Sequence, residues 1–144
     1  MGLKVELKPG ERLIIGDCLI TNGDNRARLH IAGQAAILRE KDIMTAEQAG
    51  TPAKRIYLAV QIMYTSRDPA SHHETYFTLM RELVQAAPSA WPHMVEVSNH
   101  ILSGDMYKAL KSARTLIAYE QELLQHATRG EGLRRGRETN RKSA

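Results

Sequence analysis

The chain has 144 residues and a mass of 16.1 kDa, which fits one compact domain or a small module with an appendage and leaves too little for a multidomain enzyme. Hydrophobic residues make up 42% and charged residues 25%, ordinary globular usage that excludes an intrinsically disordered chain. The net charge of +4 is unevenly placed: positions 1–128 hold 14 basic and 14 acidic side chains, and positions 129–144 hold six and two.

A single cysteine, Cys18, excludes an intramolecular disulfide and a Cys-rich zinc site, and it suits a reducing cytoplasm. No apolar run is long enough to span a bilayer, and Met1 to Glu6 lack the basic-then-apolar layout of a signal peptide. A soluble cytoplasmic protein that does not enter membranes is expected.

The first 44 residues read as an antiparallel β module. Leu3, Val5 and Leu7 alternate with Lys4, Glu6 and Lys8, the period of a strand with one buried face, until Pro9-Gly10 breaks the pattern. Leu13-Ile14-Ile15 and Leu19-Ile20-Thr21 flank Gly16-Asp17 as a hairpin, and the turn cluster Asn22 to Asn25 precedes Arg26 to Ile31. A further turn at Ala32-Gly33-Gln34 leads to Ala36-Ile37-Leu38. About five short strands forming one small sheet are predicted, with Gly10 and Gly16 as turn glycines.

Helical periodicity takes over at Thr45 and predicts a bundle of three to four helices over residues 45–128, giving an α+β fold. Thr45 with Gln48, and Thr51 before Pro52, are start signals; the second opens a helix to about Tyr64 with Ile56, Ala59, Val60 and Met63 inward. The next starts near Asp68-Pro69 or at a Ser71 to Glu74 box and buries Tyr76, Leu79, Met80 and Leu83. Pro88 and Pro92 interrupt the pattern. Met94, Val97, Ile101 and Leu102 mark a shorter helix closed by Gly104, and a long one follows through Met106, Leu110, Ala113, Leu116, Ile117, Leu123 and Leu124. Residues 129–144 carry one large apolar residue, Leu133, and read as a disordered basic tail with Arg129, Arg134, Arg135, Arg137, Arg141 and Lys142.

Enzymatic signatures are missing from the sequence. His72-His73 is the only histidine cluster, and adjacent helical residues point about 100° apart, unsuited to one metal ion. There is no Gly-x-Ser-x-Gly elbow, phosphate-cradling loop or dinucleotide fingerprint, so neither catalysis nor a cofactor or metal is expected. The methionines near the helix stripes read as core filler, with an adaptable peptide groove as the alternative.

Gly10-Glu11-Arg12-Leu13-Ile14-Ile15-Gly16-Asp17, Arg28-Leu29-His30-Ile31 and Ile37-Leu38-Arg39-Glu40-Lys41-Asp42-Ile43 together resemble the carbon storage regulator family of mRNA-leader-binding proteins over about residues 3–43. The family's arginine in the last segment, which contacts RNA, corresponds to Arg39; its paired arginines before Gly-Glu are replaced by Leu7-Lys8-Pro9, and its histidine by Leu38. Over a longer stretch, to about residue 128, Leu3 to Arg12, Ile37 to Ile43 and Thr51 to Gln61 are similar to the flagellum biosynthesis repressor FlbT family of alphaproteobacteria. That resemblance implies a post-transcriptional repressor that associates with the 5′ untranslated region of flagellin mRNA and promotes its degradation. The carbon storage regulators interlock two chains, and a homodimer is expected for the same reason that five short strands alone bury little area.

Residues 1–56 contain no Phe, Tyr or Trp until Tyr57 follows, so base recognition by the sheet has to use Arg, polar side chains and backbone groups instead of ring stacking. Arg39 is the leading candidate, since its planar guanidinium donates to two acceptors or lies over a base. Lys41, Arg28, Arg26 and Lys8 are further RNA-binding candidates, and the tail cations add sequence-independent attraction. The bland alternative for Arg39 is a solvated ion-pair partner of Glu40 or Asp42. A second function class is also open: a protein-interaction adaptor gripping flagellin or a companion flagellar regulator through the helical part.

Overall fold

The computed structural model describes residues 2–137, with side chains to residue 127. Five strands, β1 (Gly2–Leu7), β2 (Arg12–Ile15), β3 (Cys18–Thr21), β4 (Ala27–Ala32) and β5 (Ile37–Arg39), precede four helices, α1 (Pro52–Thr65), α2 (His73–Ala86), α3 (Trp91–Leu102) and α4 (Met106–Arg137). The α+β class and the antiparallel module followed by a helical bundle are as the sequence predicts.

The strands form two sheets instead of the expected one. β1 pairs antiparallel with β4, from Gly2↔Ala32 to Leu7↔Ala27, while β2 pairs with β3 and with β5. The physical reason lies in the turn between β1 and β2. Lys8 O accepts from Glu11 N at 3.0 Å, and Gly10 adopts φ +75°, so the chain leaves one sheet and enters the other. Asn22 fixes this corner, its amide donating to Leu7 O, Lys8 O and Asn25 O. The β2–β3 hairpin turns on Gly16 at φ +59°, as read from the sequence.

The three-stranded sheet lies in the middle of the molecule. Ile14 and Leu38 face the helices, and Leu38 joins their core with Ile56, Val60, Met94 and Leu116. On the other face Leu13 meets Val5 and Leu7 of β1, with Leu29 and Ile31 of β4 against the same cluster. The need for cover that motivates a second chain is thus met on one face by the chain's own helices.

The helices follow their expected stripes closely, with informative exceptions. Thr51 caps α1, its hydroxyl accepting from Lys54 N at 3.3 Å, with Pro52 at the first position. Thr45 and Gln48 exchange the reciprocal bonds of a capping box (3.0 and 3.2 Å), yet the turn they close dissipates before Gly50 and no helix follows. α2 is entered through a 3₁₀ turn at Pro69–His72. Pro92 sits within the first turn of α3 and helps to start that helix. Leu102, expected inward, is 65% exposed, because Gly104 at φ +81° ends the helix just after it. Met63 and Met94 are fully buried and Met44, Met80 and Met106 pack against the same core, so the methionines are filler. Buried Tyr76 shares a 2.8 Å hydrogen bond with Ser98, and burial pushes its hydroxyl up to about 12.

α4 continues past residue 128 to Arg137, so Arg129, Arg134, Arg135 and Arg137 ride on helical backbone. The remainder of the expected tail, with Arg141 and Lys142, lies outside the described residues, as do the side chains from residue 128 onward. No helix among the described residues is long and apolar enough to cross a membrane.

Candidate nucleic-acid interface

The exit of β5 is gripped by one face of α1. Tyr57, Gln61 and Tyr64 stand at i, i+4 and i+7, the spacing of a single helical face. The Tyr57 hydroxyl donates to Asp42 O at 2.6 Å, and the Tyr64 hydroxyl donates to Ile37 O at 3.2 Å. Buried Gln61 satisfies both backbone groups of Met44, accepting from its N–H at 2.7 Å and donating to its carbonyl at 3.0 Å. Burial raises the ionisation of Tyr57 and Tyr64 above the ordinary phenol value, so both act as neutral donors here.

This grip positions Arg39 and Lys41 on one rim of a groove of about 580 Å³. The opposite wall comes from α4, where Tyr107, Lys111 and Arg114 again share a face at i, i+4 and i+7. Among the described residues, four cations and a single carboxylate, Asp42, therefore line the groove. Arg114 engages Asp42 in an ion pair and also donates to the Tyr57 hydroxyl at 3.4 Å, a bond that chiefly strengthens its hold on its proton. Near-zero net charge over residues 1–128 is locally broken at this groove.

Arg39 is exposed, and both carboxylates beside it in sequence are engaged elsewhere. Glu40 accepts from the Arg12 backbone N–H and from its guanidinium, each at 3.1 Å, and Asp42 is held by Arg114. Among the described residues, no ion pair or side-chain hydrogen bond engages Arg39 or Lys41. The solvated ion pair that sequence context suggests for Arg39 is not formed.

The other candidates are placed apart from this groove. Arg26 and Arg28 flank Glu6 on the outer face of the β1–β4 ribbon, at 3.9 and 3.4 Å, where the register sets Glu6 opposite Arg28. Lys8 is exposed at the turn after β1 and lines neither cluster. Sequence reasoning missed Tyr64, Tyr107, Lys111 and Arg114, although the periodic Tyr107-Lys111-Arg114 face was visible on a predicted helix.

Comparison with known proteins identifies the family of the chain. A family model described as "Flagellar protein FlbT" matches residues 3–124. The chain is 60% identical over 124 residues to the probable flagellum biosynthesis repressor protein FlbT 1 of Bradyrhizobium diazoefficiens, covering 85% of each chain. It is 53% identical over 124 residues to the probable flagellum biosynthesis repressor FlbT of Rhodopseudomonas palustris, covering 86% of this chain and 98% of the relative. To the flagellum biosynthesis repressor protein FlbT of Caulobacter vibrioides the identity is 38% over 133 residues, covering 90% and 94%. No solved structure matches the chain. The chain belongs to the FlbT family of flagellar proteins, whose relatives here are named as repressors of flagellum biosynthesis.

Proposed function

We propose that this protein represses flagellum synthesis after transcription, by binding the 5′ untranslated region of flagellin mRNA and promoting its degradation. The observation that carries this reading is the unpaired Arg39 beside Lys41, in a groove where four cations face one carboxylate. A guanidinium with no internal partner loses no ion pair on meeting a phosphate or a base edge, and its planar fork suits both. The groove's cations and tyrosines bind and orient; they supply no general base poised near neutral pH, so degradation falls to a recruited nuclease.

The test is a gel shift with the full chain and a flagellin leader, run beside a scrambled RNA at two salt concentrations. The reading expects tighter binding of the leader, an affinity that falls with salt, and a weakened leader complex with Arg39→Ala. Equal binding of leader and scrambled RNA, unchanged by Arg39→Ala, would sink it.

One observation favours the adaptor as a second reading. A cleft of about 490 Å³ between the start of α1, the end of α2 and α4 is lined by Leu83, Leu116 and Leu123. Glu120 lies in it, 7% exposed, with Oε2 accepting from Ala53 N at 2.9 Å and Oε1 buried without a hydrogen-bond partner among the described residues. A flagellin or a companion regulator bound there would be indifferent to Arg39→Ala and sensitive to Leu123→Asp.

A further inference from the structure

The strand module has no Phe, Tyr or Trp on which a base could stack, and folding supplies two tyrosines from distant helices. Tyr64 of α1 and Tyr107 of α4 meet with centroids 5.9 Å apart and planes tilted by 45°. They do more than line the basic groove. Together with Ala35 they also wall a neighbouring cleft of about 780 Å³ that runs past Gly16-Asp17 and Arg67. Two adjoining grooves thus share an aromatic ridge, with Arg39, Lys41, Lys111 and Arg114 on one side of it.

The two rings differ in a way that suits a platform. Tyr64 is half-buried and locked through its hydroxyl to Ile37 O. Tyr107 is 45% exposed, and the Lys111 ammonium hovers over its ring, 5.0 Å from the centroid. A large half-exposed ring backed by a fixed one is a rigid apolar surface at low entropic cost. The ammonium marks an accessible, electron-rich face. Lysine is a point charge on a flexible stem, so a base can take its place over the ring while the ammonium swings to the phosphate of the same nucleotide.

We infer that Tyr107, backed by Tyr64 and ringed by Arg39, Lys41, Lys111 and Arg114, is a base-stacking platform for single-stranded RNA, so that the nucleic-acid site is shared between the β module and α4. This rests on the RNA-binding reading above and adds to it the strandedness of the ligand and the helix that meets it. Only a single strand offers free base faces; a duplex keeps them in its own stack and would meet the cations alone. An acidic protein would also satisfy the cations and would leave the rings without a role, which makes the rings the discriminating feature.

The experiment uses the full chain and three fluorescein-labelled probes: a flagellin leader fragment, that fragment annealed to its complement, and a poly-glutamate peptide. Each is titrated by fluorescence anisotropy against wild type, Tyr107→Ala, Tyr107→Leu, Tyr107→Phe and Lys111→Ala. Tyr107→Ala should weaken the single strand by roughly 5- to 150-fold, the range of one lost base–aromatic stack, with the logarithmic salt slope unchanged. Tyr107→Phe should stay within about twofold. Lys111→Ala should shrink the salt slope by about 0.7, the share of one phosphate contact on a single strand. Tyr107→Leu keeps bulk and helix propensity without a π face, so a matching loss there shows that the alanine result is not a folding defect. Tight single-strand binding that ignores Tyr107→Ala and Tyr107→Leu overturns the platform while leaving the RNA reading intact, as does equal affinity for the duplex. Wild type that binds no RNA overturns both, and poly-glutamate binding in its place identifies the groove as an acidic-protein site.

Discussion

Two arginine-bearing regions of the β module look alike in sequence and differ in the folded chain. Arg26 and Arg28 share Glu6 across the β1–β4 ribbon, where the antiparallel register sets opposite charges face to face. Arg39 is followed in sequence by two acidic residues, yet Glu40 turns to Arg12 and Asp42 turns to Arg114. In the first region both arginines have an anionic partner, and in the second Arg39 has none among the described residues. Local charge in a sequence is therefore a poor guide to local potential, because partners are chosen by register and by helix contacts dozens of residues away.

The largest effect that sharpens this comparison concerns how the Arg39 region is held. Gln61→Ala removes the only side chain that meets both backbone groups of Met44 among the described residues, leaving a half-buried N–H and carbonyl without their protein partner. Each such orphan costs about 1 to 3 kcal/mol, so a loss of roughly 2 to 4 kcal/mol in stability is expected. Denaturant unfolding should show a lower midpoint at unchanged slope. A change under about 0.5 kcal/mol would mean that the 40–44 turn is held by other contacts and that α1 does not set the rim of the groove.

Next in size is Arg39 itself. Its substitution by Ala should weaken leader RNA by about 10- to 100-fold, the worth of one good base or phosphate contact at about 1 to 3 kcal/mol, with stability altered by no more than about 0.5 kcal/mol. Lys at the same position should restore only part of the affinity, since a point charge lacks the planar fork. Full rescue by Lys would show that charge alone is read at this position.

These contrasts also separate what the sequence discloses from what it conceals. The Gly16-Asp17 hairpin, the Thr51-Pro52 helix start and the Gly104 stop were legible because each is a local matter of backbone angles or of capping. The Thr45-Gln48 box formed its hydrogen bonds and still failed to launch a helix, since one satisfied turn does not outweigh the nucleation cost without a buried stripe behind it. The division of five strands into two sheets was hidden, because strands of three to six residues do not announce their partners. The groove was hidden for the same reason. Arg39 is recognisable alone, whereas its companions Tyr64, Tyr107, Lys111 and Arg114 lie on two later helices, and reading residues 1–56 as free of aromatics obscured the rings that folding brings to them.

A smaller effect tests the charge imbalance directly. Asp42→Asn preserves an acceptor for Arg114 and removes the only carboxylate lining the groove among the described residues. RNA affinity should rise by about 2- to 5-fold at low salt, and the gain should fade near 1 M salt, where the screening length is about 3 Å. The folded protein should lose about 1 kcal/mol, since Arg114 is half-exposed and its pair is partly screened. Tighter binding that persists at high salt would point to a reshaped groove, and charge balance would then not be the explanation.

The smallest effect probes the ribbon. Glu6→Gln releases Arg26 and Arg28 from their shared carboxylate without changing the size of the side chain. All three groups are well exposed, so the pairs contribute at most about 1 kcal/mol and the fold should scarcely respond. If the ribbon is outside the RNA path, the two freed guanidinium groups add only diffuse attraction. Leader and scrambled RNA should then both tighten by less than about twofold, equally and only at low salt. A gain confined to the leader would place Arg26 and Arg28 on the RNA path and would recast Glu6 as a brake on binding. In that case the ribbon and the groove would be two parts of one surface, and the difference in how their arginines are paired would set the strength of each contact.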